Sequence, residues 1–208
     1  MHPSLTLHTF ENDSISYVAP TWEELHALAF EMAQQIRASD HSFDRVVTLA
    51  KGGWPMSGSL ADFLEVSEVQ SLGLSFYKGV NERKAKPTVY QDLPVNIMGE
   101  HILLFDDVAD TGESLLFATE YLKERGAASV TTATVFYKER SQIVPDFFSA
   151  QVAEWIIFPY ELVESLKDIG TRWLTDSISP DEVISRFITL QFPENQVRYF
   201  VETALLVE

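Results

Sequence analysis

The chain of 208 residues contains no cysteine, which removes a disulfide framework, a thiolate metal site and a cysteine nucleophile from consideration. Positive charge is scarce as well. Against 31 aspartates and glutamates stand 15 lysines and arginines, for a formal charge of −16. Such a surface repels polyanions, so neither nucleic acid nor an anionic membrane is an expected partner unless a strong local basic patch exists. The densest group of cations is Lys78, Arg83, Lys84 and Lys86, which reads either as a solvated loop or as a cover for a small anionic ligand. No apolar run approaches the roughly 20 residues that span a bilayer, and residues 1–20 lack a basic start followed by an apolar core. A soluble, cytoplasmic protein is expected. Internal repeats and low-complexity segments are also missing.

What is present suffices for one substantial core, since 46% of the residues are hydrophobic, and the length suits a single domain with additions. Patterning predicts a short strand at Ile15 to Val18. A capping box at Thr21-Trp22-Glu23-Glu24 then opens a helix through about Ile36. Arg45 to Ala50 reads as a strand, followed by Lys51-Gly52-Gly53 and a helix from about Pro55 to Leu64. Strands at Leu72 to Tyr77 and Ile102 to Phe105 flank a polar, proline-containing segment of about 24 residues, long enough to read as a lid or a disordered stretch. Further strands are expected at Val130 to Tyr137 and Glu154 to Phe158. The alternation implies an α/β fold, a mainly parallel twisted sheet flanked by helices, with ligands beyond the carboxyl ends of its strands. From Gly170 onward the pattern turns helical, at Ser179 to about Leu190 and from Pro193 to about Leu206. This tail is either a flap on the core or an oligomer contact.

The chemistry concentrates in Leu103 to Ser114. A buried strand leads into Asp106, Asp107 and Asp110, and Thr111-Gly112-Glu113-Ser114 opens a helix with Leu115, Ala118 and Leu122 on one face and Gly126 at its end. Backbone N–H groups, small hydroxyls and the positive end of the helix dipole favour a phosphate there. Glu113 is no phosphate ligand by its side chain, so only its amide contributes. An acidic protein that holds phosphates needs such amides, a few placed cations and a divalent metal.

This run resembles the phosphoribosyl-pyrophosphate signature of type I phosphoribosyltransferases, with Glu113 and Ser114 standing where a lysine or glycine and a threonine are commoner. Lys51-Gly52-Gly53, an ordinary glycine turn if read alone, resembles the family's pyrophosphate loop, and the resemblance implies a cis peptide between Ala50 and Lys51. Val135-Phe136-Tyr137-Lys138, Pro145-Asp146-Phe147 and Trp155-Ile156-Ile157-Phe158-Pro159-Tyr160-Glu161 resemble the base-binding half of the 6-oxopurine branch, the hypoxanthine-guanine and xanthine-guanine enzymes. By that resemblance Lys138 donates to the purine O6, Trp155 stacks on the ring, and Ile156 uses its backbone. Read by type alone, a tryptophan in Trp155's place is more often core. Glu161 stands where the family contacts Mg2+ with an aspartate, and it reads equally well as a carboxylate at a helix start. Leu72 to Tyr77 and the basic loop after it resemble the family's catalytic lid. The resemblance spans residues 15 to 168, so a phosphoribosyltransferase domain with a small base-binding hood is expected at 1–169 and a C-terminal helical extension at 170–208.

The implied reaction is displacement at the anomeric carbon of phosphoribosyl pyrophosphate by a purine base. Asp106 and Asp107 would hold the ribose hydroxyls, Thr111 to Ser114 the 5′-phosphate, and Lys51, Gly52 and Gly53 the pyrophosphate. Asp110 is the expected catalytic group, moving the purine N7 proton, with the other carboxylates as its electrostatic neighbours. Apolar Ile157, where some relatives carry an acid, tilts the base toward hypoxanthine. Relatives imply a homodimer or homotetramer. Three alternatives stay open: a non-catalytic nucleotide-binding regulator, a transferase for another base, and a receiver-type phosphoacceptor domain, whose acids belong nearer the first strand.

Overall fold

A computed structural model describes residues 5–77 and 86–206. The chain divides into two packed units, one formed by the described residues of 26–153 and the other by 5–25 with 154–206.

The elements run β1 (Leu7–His8), β2 (Tyr17–Val18), α1 (Trp22–Arg37), β3 (Arg45–Ala50), α2 (Trp54–Leu64), β4 (Val69–Tyr77), β5 (Lys86–Gln91), β6 (His101–Ala109) and α3 (Glu113–Glu124). After these come β7 (Ser129–Tyr137), β8 (Phe147–Gln151), β9 (Trp155–Ile156), α4 (Leu162–Ser165), α5 (Thr171–Thr175), α6 (Pro180–Thr189) and α7 (Glu194–Phe200). Single π-helical turns at Leu166–Gly170 and Val201–Leu205 follow α4 and α7. Local chemistry explains the starts. Thr21 Oγ1 accepts from the Glu24 N–H at 3.1 Å while Glu24 Oε2 accepts from the Thr21 N–H at 2.7 Å, which is the capping box that opens α1. Ser179 caps α6 through the Glu182 N–H, with Pro180 in the first turn.

Residues 26–153 carry a six-stranded sheet in the order β5-β4-β3-β6-β7-β8, in which every pair is parallel except β4 with β5. Val47, Leu49, Leu72, Ile102 and Leu104 pack against Leu115, Ala118 and Leu122, the helix face expected from the periodicity. Three expectations change. β6 extends beyond Phe105 to Ala109, so Asp106 and Asp107 are strand residues, Asp106 standing opposite Thr134. The segment after β4 is not a continuous loop, because β5 returns antiparallel along β4 as an edge strand. Pro87 is tolerated there because an edge strand has one row of N–H groups with no neighbour to serve. Lys78, Arg83 and Lys84, with the rest of the expected lid loop at 78–85, lie outside the described residues. β8 went unread because Pro145 and Asp146 resemble a turn; Asp146 in fact ties the start of β8 to β7, accepting from the Thr132 N–H and hydroxyl at 2.7 and 2.8 Å.

The other unit carries a three-stranded sheet, β1-β2-β9, with β2 and β9 parallel. The strand expected at Glu154 to Phe158 is thus only two residues long and belongs to this small sheet. Tyr17, Ile157, Leu162 and Leu166 share one core with Trp173, Val183, Phe187, Val197 and Val201, so packing in this unit runs through residue 170 without a break. At its centre the Asp13 carboxylate accepts from Tyr17 Oη (2.7 Å), Arg172 Nη1 and Nη2 (3.0 and 2.8 Å), Trp173 Nε1 (2.6 Å) and the Ile15 N–H (3.0 Å). No described helix is long and apolar enough to cross a membrane.

Burial pushes the Asp13 carboxyl up, but hydrogen bonds from Arg172, Tyr17, Ile15 and Trp173 outweigh it and hold the group well below the usual carboxylate range. A depressed folded-state value adds stability that is complete above the unfolded value, near pH 4, and is lost as pH falls through the folded one. Asp13→Ala strands a guanidinium and an indole N–H and is expected to cost roughly 3 kcal/mol at pH 7, read by urea denaturation. The cost should shrink in acid. An unchanged midpoint at pH 7 would show that the carboxylate does not hold the C-terminal helices.

Candidate functional site

β3 has β4 on one side and β6 on the other, so the chain departs in opposite directions from this pair and leaves a crevice beyond their carboxyl ends. Two loops meet there. Lys51-Gly52-Gly53 follows β3 after a cis peptide between Ala50 and Lys51, and the Gly53 N–H returns to the Leu49 carbonyl at 3.0 Å. Gly52 lies against the end of β6 so closely that a Cβ would stand 2.5 Å from Asp107 Oδ2. A side chain at 52 would displace the Asp107 carboxylate. Lys51 is exposed, whereas Asp107 is buried.

Asp106 Oδ1 accepts from the Asp107 N–H at 3.0 Å. Burial, and second the neighbouring Asp107 charge, push the Asp106 carboxyl well above the usual carboxylate range. The site therefore carries a carboxylate whose ionised form the fold disfavours.

The turn after β6 is propped from one side. Gly112 has φ +78°, and a Cβ on it would strike Ser141 Oγ and lie 2.8 Å from Ile143 Cγ2. The Gln142 N–H donates to the Thr111 carbonyl at 2.8 Å, and Thr111 Oγ1 accepts from the Glu113 N–H at 3.4 Å. No side chain at Gly112 caps α3, so the positive end of a 12-residue helix faces the turn, with Ser114 in its first turn. The Glu113 carboxylate is drawn aside to Gln142 Nε2 at 3.4 Å.

Asp110 meets two cations: Arg140 donates to Oδ1 through Nε at 2.8 Å and again through Nη2, and Lys138 Nζ lies 3.5 Å from the same oxygen. The physical reason is the turn after β7. Lys138 hydrogen-bonds by its N–H to the Ala109 carbonyl at 3.0 Å, which brings residues 138–143 alongside 109–113. Arg140 escaped the sequence reading. Its signal was a second cation two residues past Lys138, a spacing that a turn folds back to the same side.

Of the remaining expected residues, Lys138 is buried at the end of β7. Trp155, Ile156 and Glu161 belong to the other packed unit. Trp155 is 48% exposed on β9 and so is not a core tryptophan, while Ile156 beside it is buried. Glu161 precedes α4 and borders a cavity of about 560 Å³ lined also by Tyr160, Glu164, Lys167, Gln196 and Phe200.

A raised folded-state value makes Asp106 a cost to stability that is absent below the unfolded value, near pH 4, and grows as pH rises toward and through the folded one. Asp106→Asn is expected to raise the melting temperature at pH 8 and to flatten its fall with pH. Scanning calorimetry from pH 4 to 8 checks this; a variant less stable than the parent at pH 8 would contradict the burial argument.

Residues 21–164 match the phosphoribosyl transferase domain family. The hypoxanthine-guanine phosphoribosyltransferase of Streptococcus pneumoniae is 29% identical over 137 residues, covering 64% of this chain and 75% of that protein. The xanthine-guanine phosphoribosyltransferase of Idiomarina loihiensis is 26% identical over 144 residues, covering 68% and 85%. Among solved structures, a purine phosphoribosyltransferase from Pyrococcus horikoshii Ot3 is similar with a TM-score of 0.62 and 26% identity, over 69% of this chain and 91% of that one. A glycine-containing turn at the carboxyl end of a mainly parallel sheet and a family match over more than half the length lead to one conclusion: the chain belongs to the phosphoribosyl transferase domain family.

Proposed function

We propose that this protein transfers the 5-phosphoribosyl group from phosphoribosyl pyrophosphate to a 6-oxopurine base, releasing pyrophosphate. The observation that carries the reading is the 3.5 Å approach of Lys138 Nζ to Asp110 Oδ1, a buried cation beside a carboxylate at the ends of adjacent strands. A 6-oxopurine presents an acceptor at O6 next to the ring nitrogen N7, and an ammonium beside a carboxylate complements that edge. The printed names of the relatives, hypoxanthine-guanine and xanthine-guanine enzymes, support the same substrate class.

In this reading the amides of Thr111 to Ser114 hold the 5′-phosphate at the start of α3, and Lys51, Gly52 and Gly53 offer backbone and one cation to the pyrophosphate. Asp106 and Asp107 accept from the ribose hydroxyls, and Asp107 places negative charge near the sugar carbon as positive charge develops on it. The glycosidic C–O bond to pyrophosphate breaks, a C–N bond to the purine forms, and Asp110 takes the proton the base gives up. Trp155 supplies a stacking face and Ile156 its backbone to the base. Glu161, just before α4, is a hard oxygen donor of the kind Mg2+ takes. When bound, Mg2+ offsets the charge on the departing pyrophosphate, and Glu161 is the residue we assign to it. Residues 1–169 carry this activity, 170–208 form an extension, and the working form is a homodimer or homotetramer.

Pyrophosphate release with hypoxanthine, guanine, xanthine, adenine and uracil tests the proposal. Turnover is expected with the 6-oxopurines and not with adenine or uracil; inactivity toward all three 6-oxopurines would refute it. Asp110→Asn should lower kcat by roughly 100-fold or more while the affinity for phosphoribosyl pyrophosphate moves by less than about threefold. Lys138→Met should instead act mainly on the purine KM, by about tenfold or more, because it removes a donor to the base. A purine KM that Lys138→Met leaves within about twofold of the parent would remove Lys138 from base reading.

A further inference from the structure

Both hydrogen bonds that Arg140 donates to the Asp110 carboxylate fall on one of its two oxygens. Arg140 donates to Oδ1 through Nε at 2.8 Å and through Nη2, and Lys138 Nζ stands 3.5 Å from that same atom. Among the described residues no side-chain hydrogen bond reaches Oδ2. A carboxylate on a short side chain turns freely about its last bond, and a planar guanidinium gripping one oxygen with two N–H groups stops that rotation.

The backbone that presents Arg140 is itself held on both sides. Lys138 bonds to Ala109, the Ser141 N–H to the Lys138 carbonyl at 2.9 Å, and the Gln142 N–H to the Thr111 carbonyl at 2.8 Å. Ser141 and Ile143 abut Gly112. The turn therefore brackets Asp110, fastened to the residue before it and to the residue after it, and Arg140 is the side chain that closes the bracket. Its head is otherwise at the surface, 62% exposed, so the pair contributes little to stability.

We propose that Arg140 is a positioning residue for the transfer reaction: it fixes Asp110 Oδ1 and so leaves Oδ2 as the one acceptor turned to the proton of the incoming base. The proposal rests on the transferase reading above and adds to it a residue that reaches the substrate only through Asp110. Arginine's fork is required for the grip; lysine, a point charge, reproduces the attraction but not the fixed plane.

Steady-state kinetics with phosphoribosyl pyrophosphate and the best 6-oxopurine, at high enzyme concentration, test it in the full chain. Arg140→Ala is expected to lower kcat about tenfold with both KM values within about threefold and an unchanged melting temperature, and Arg140→Lys to recover only part of the loss. The deciding comparison is made in the Asp110→Asn background, where Arg140→Ala should change kcat by less than about twofold, because the group it orients has already lost its proton-accepting charge. A kcat for Arg140→Ala within about twofold of the parent overturns the proposal, and so does a tenfold loss repeated undiminished on Asp110→Asn. If the parent turns over no 6-oxopurine, the transferase reading falls and this inference with it. An active parent with an indifferent Arg140 refutes the inference alone.

Discussion

The site depends on how closely the backbone at Gly52 approaches the carboxylate of Asp107. With a Cβ position 2.5 Å from Oδ2, any larger residue at 52 would force the Asp107 carboxylate to move. The approach brings a glycine-rich loop and a pair of acids to one crevice, with Asp107 buried beneath it. Asp106 pays in electrostatics, pushed up by burial and by its neighbour. A fold selected for stability alone would not keep two carboxylates there; a fold that must meet sugar hydroxyls and a charge-bearing sugar carbon has reason to.

A second constraint joins the turn after β6 to the lysine of the next strand. β6 and β7 are parallel neighbours, so the residues that follow them emerge side by side. The hydrogen bonds from Lys138 to Ala109 and from Gln142 to Thr111 then make one body of two turns that lie about 30 residues apart in the chain. Gly112 needs its freedom twice over, for a positive φ and for the lack of a side chain against Ser141 and Ile143. Groups that would touch phosphate, proton and base are thereby positioned by backbone contacts of regular elements, not by a loose loop.

In the other unit the same logic works through one buried charge. Asp13 is satisfied by five donors, two of them on Arg172, and Trp173 stacks edge-on against Tyr17 and Phe10. A buried carboxylate is tolerable only when nearly all its lone pairs are used, and here they fasten the C-terminal helices to the small sheet that carries Trp155.

Much of this was legible in the chain itself. Helix periodicity, the capping box at Thr21, the Thr-Gly turn after Asp110 and the alternation of strand and helix depend on neighbours within a few residues, so they are written locally. The lysine and glycines after β3 and the acids of β6 could be read for the same reason. Partners distant in sequence could not. That Asp110 would be flanked by Arg140 and Lys138, that Pro87 would lie in an edge strand, that β9 would join a separate small sheet, and that Asp13 would anchor Arg172 and Trp173 all follow from which strands become neighbours. Residue types and spacing determined the chemistry available to this protein; only the tertiary structure decided which charges meet, because strand pairing and burial, not sequence distance, set the separations on which electrostatics acts.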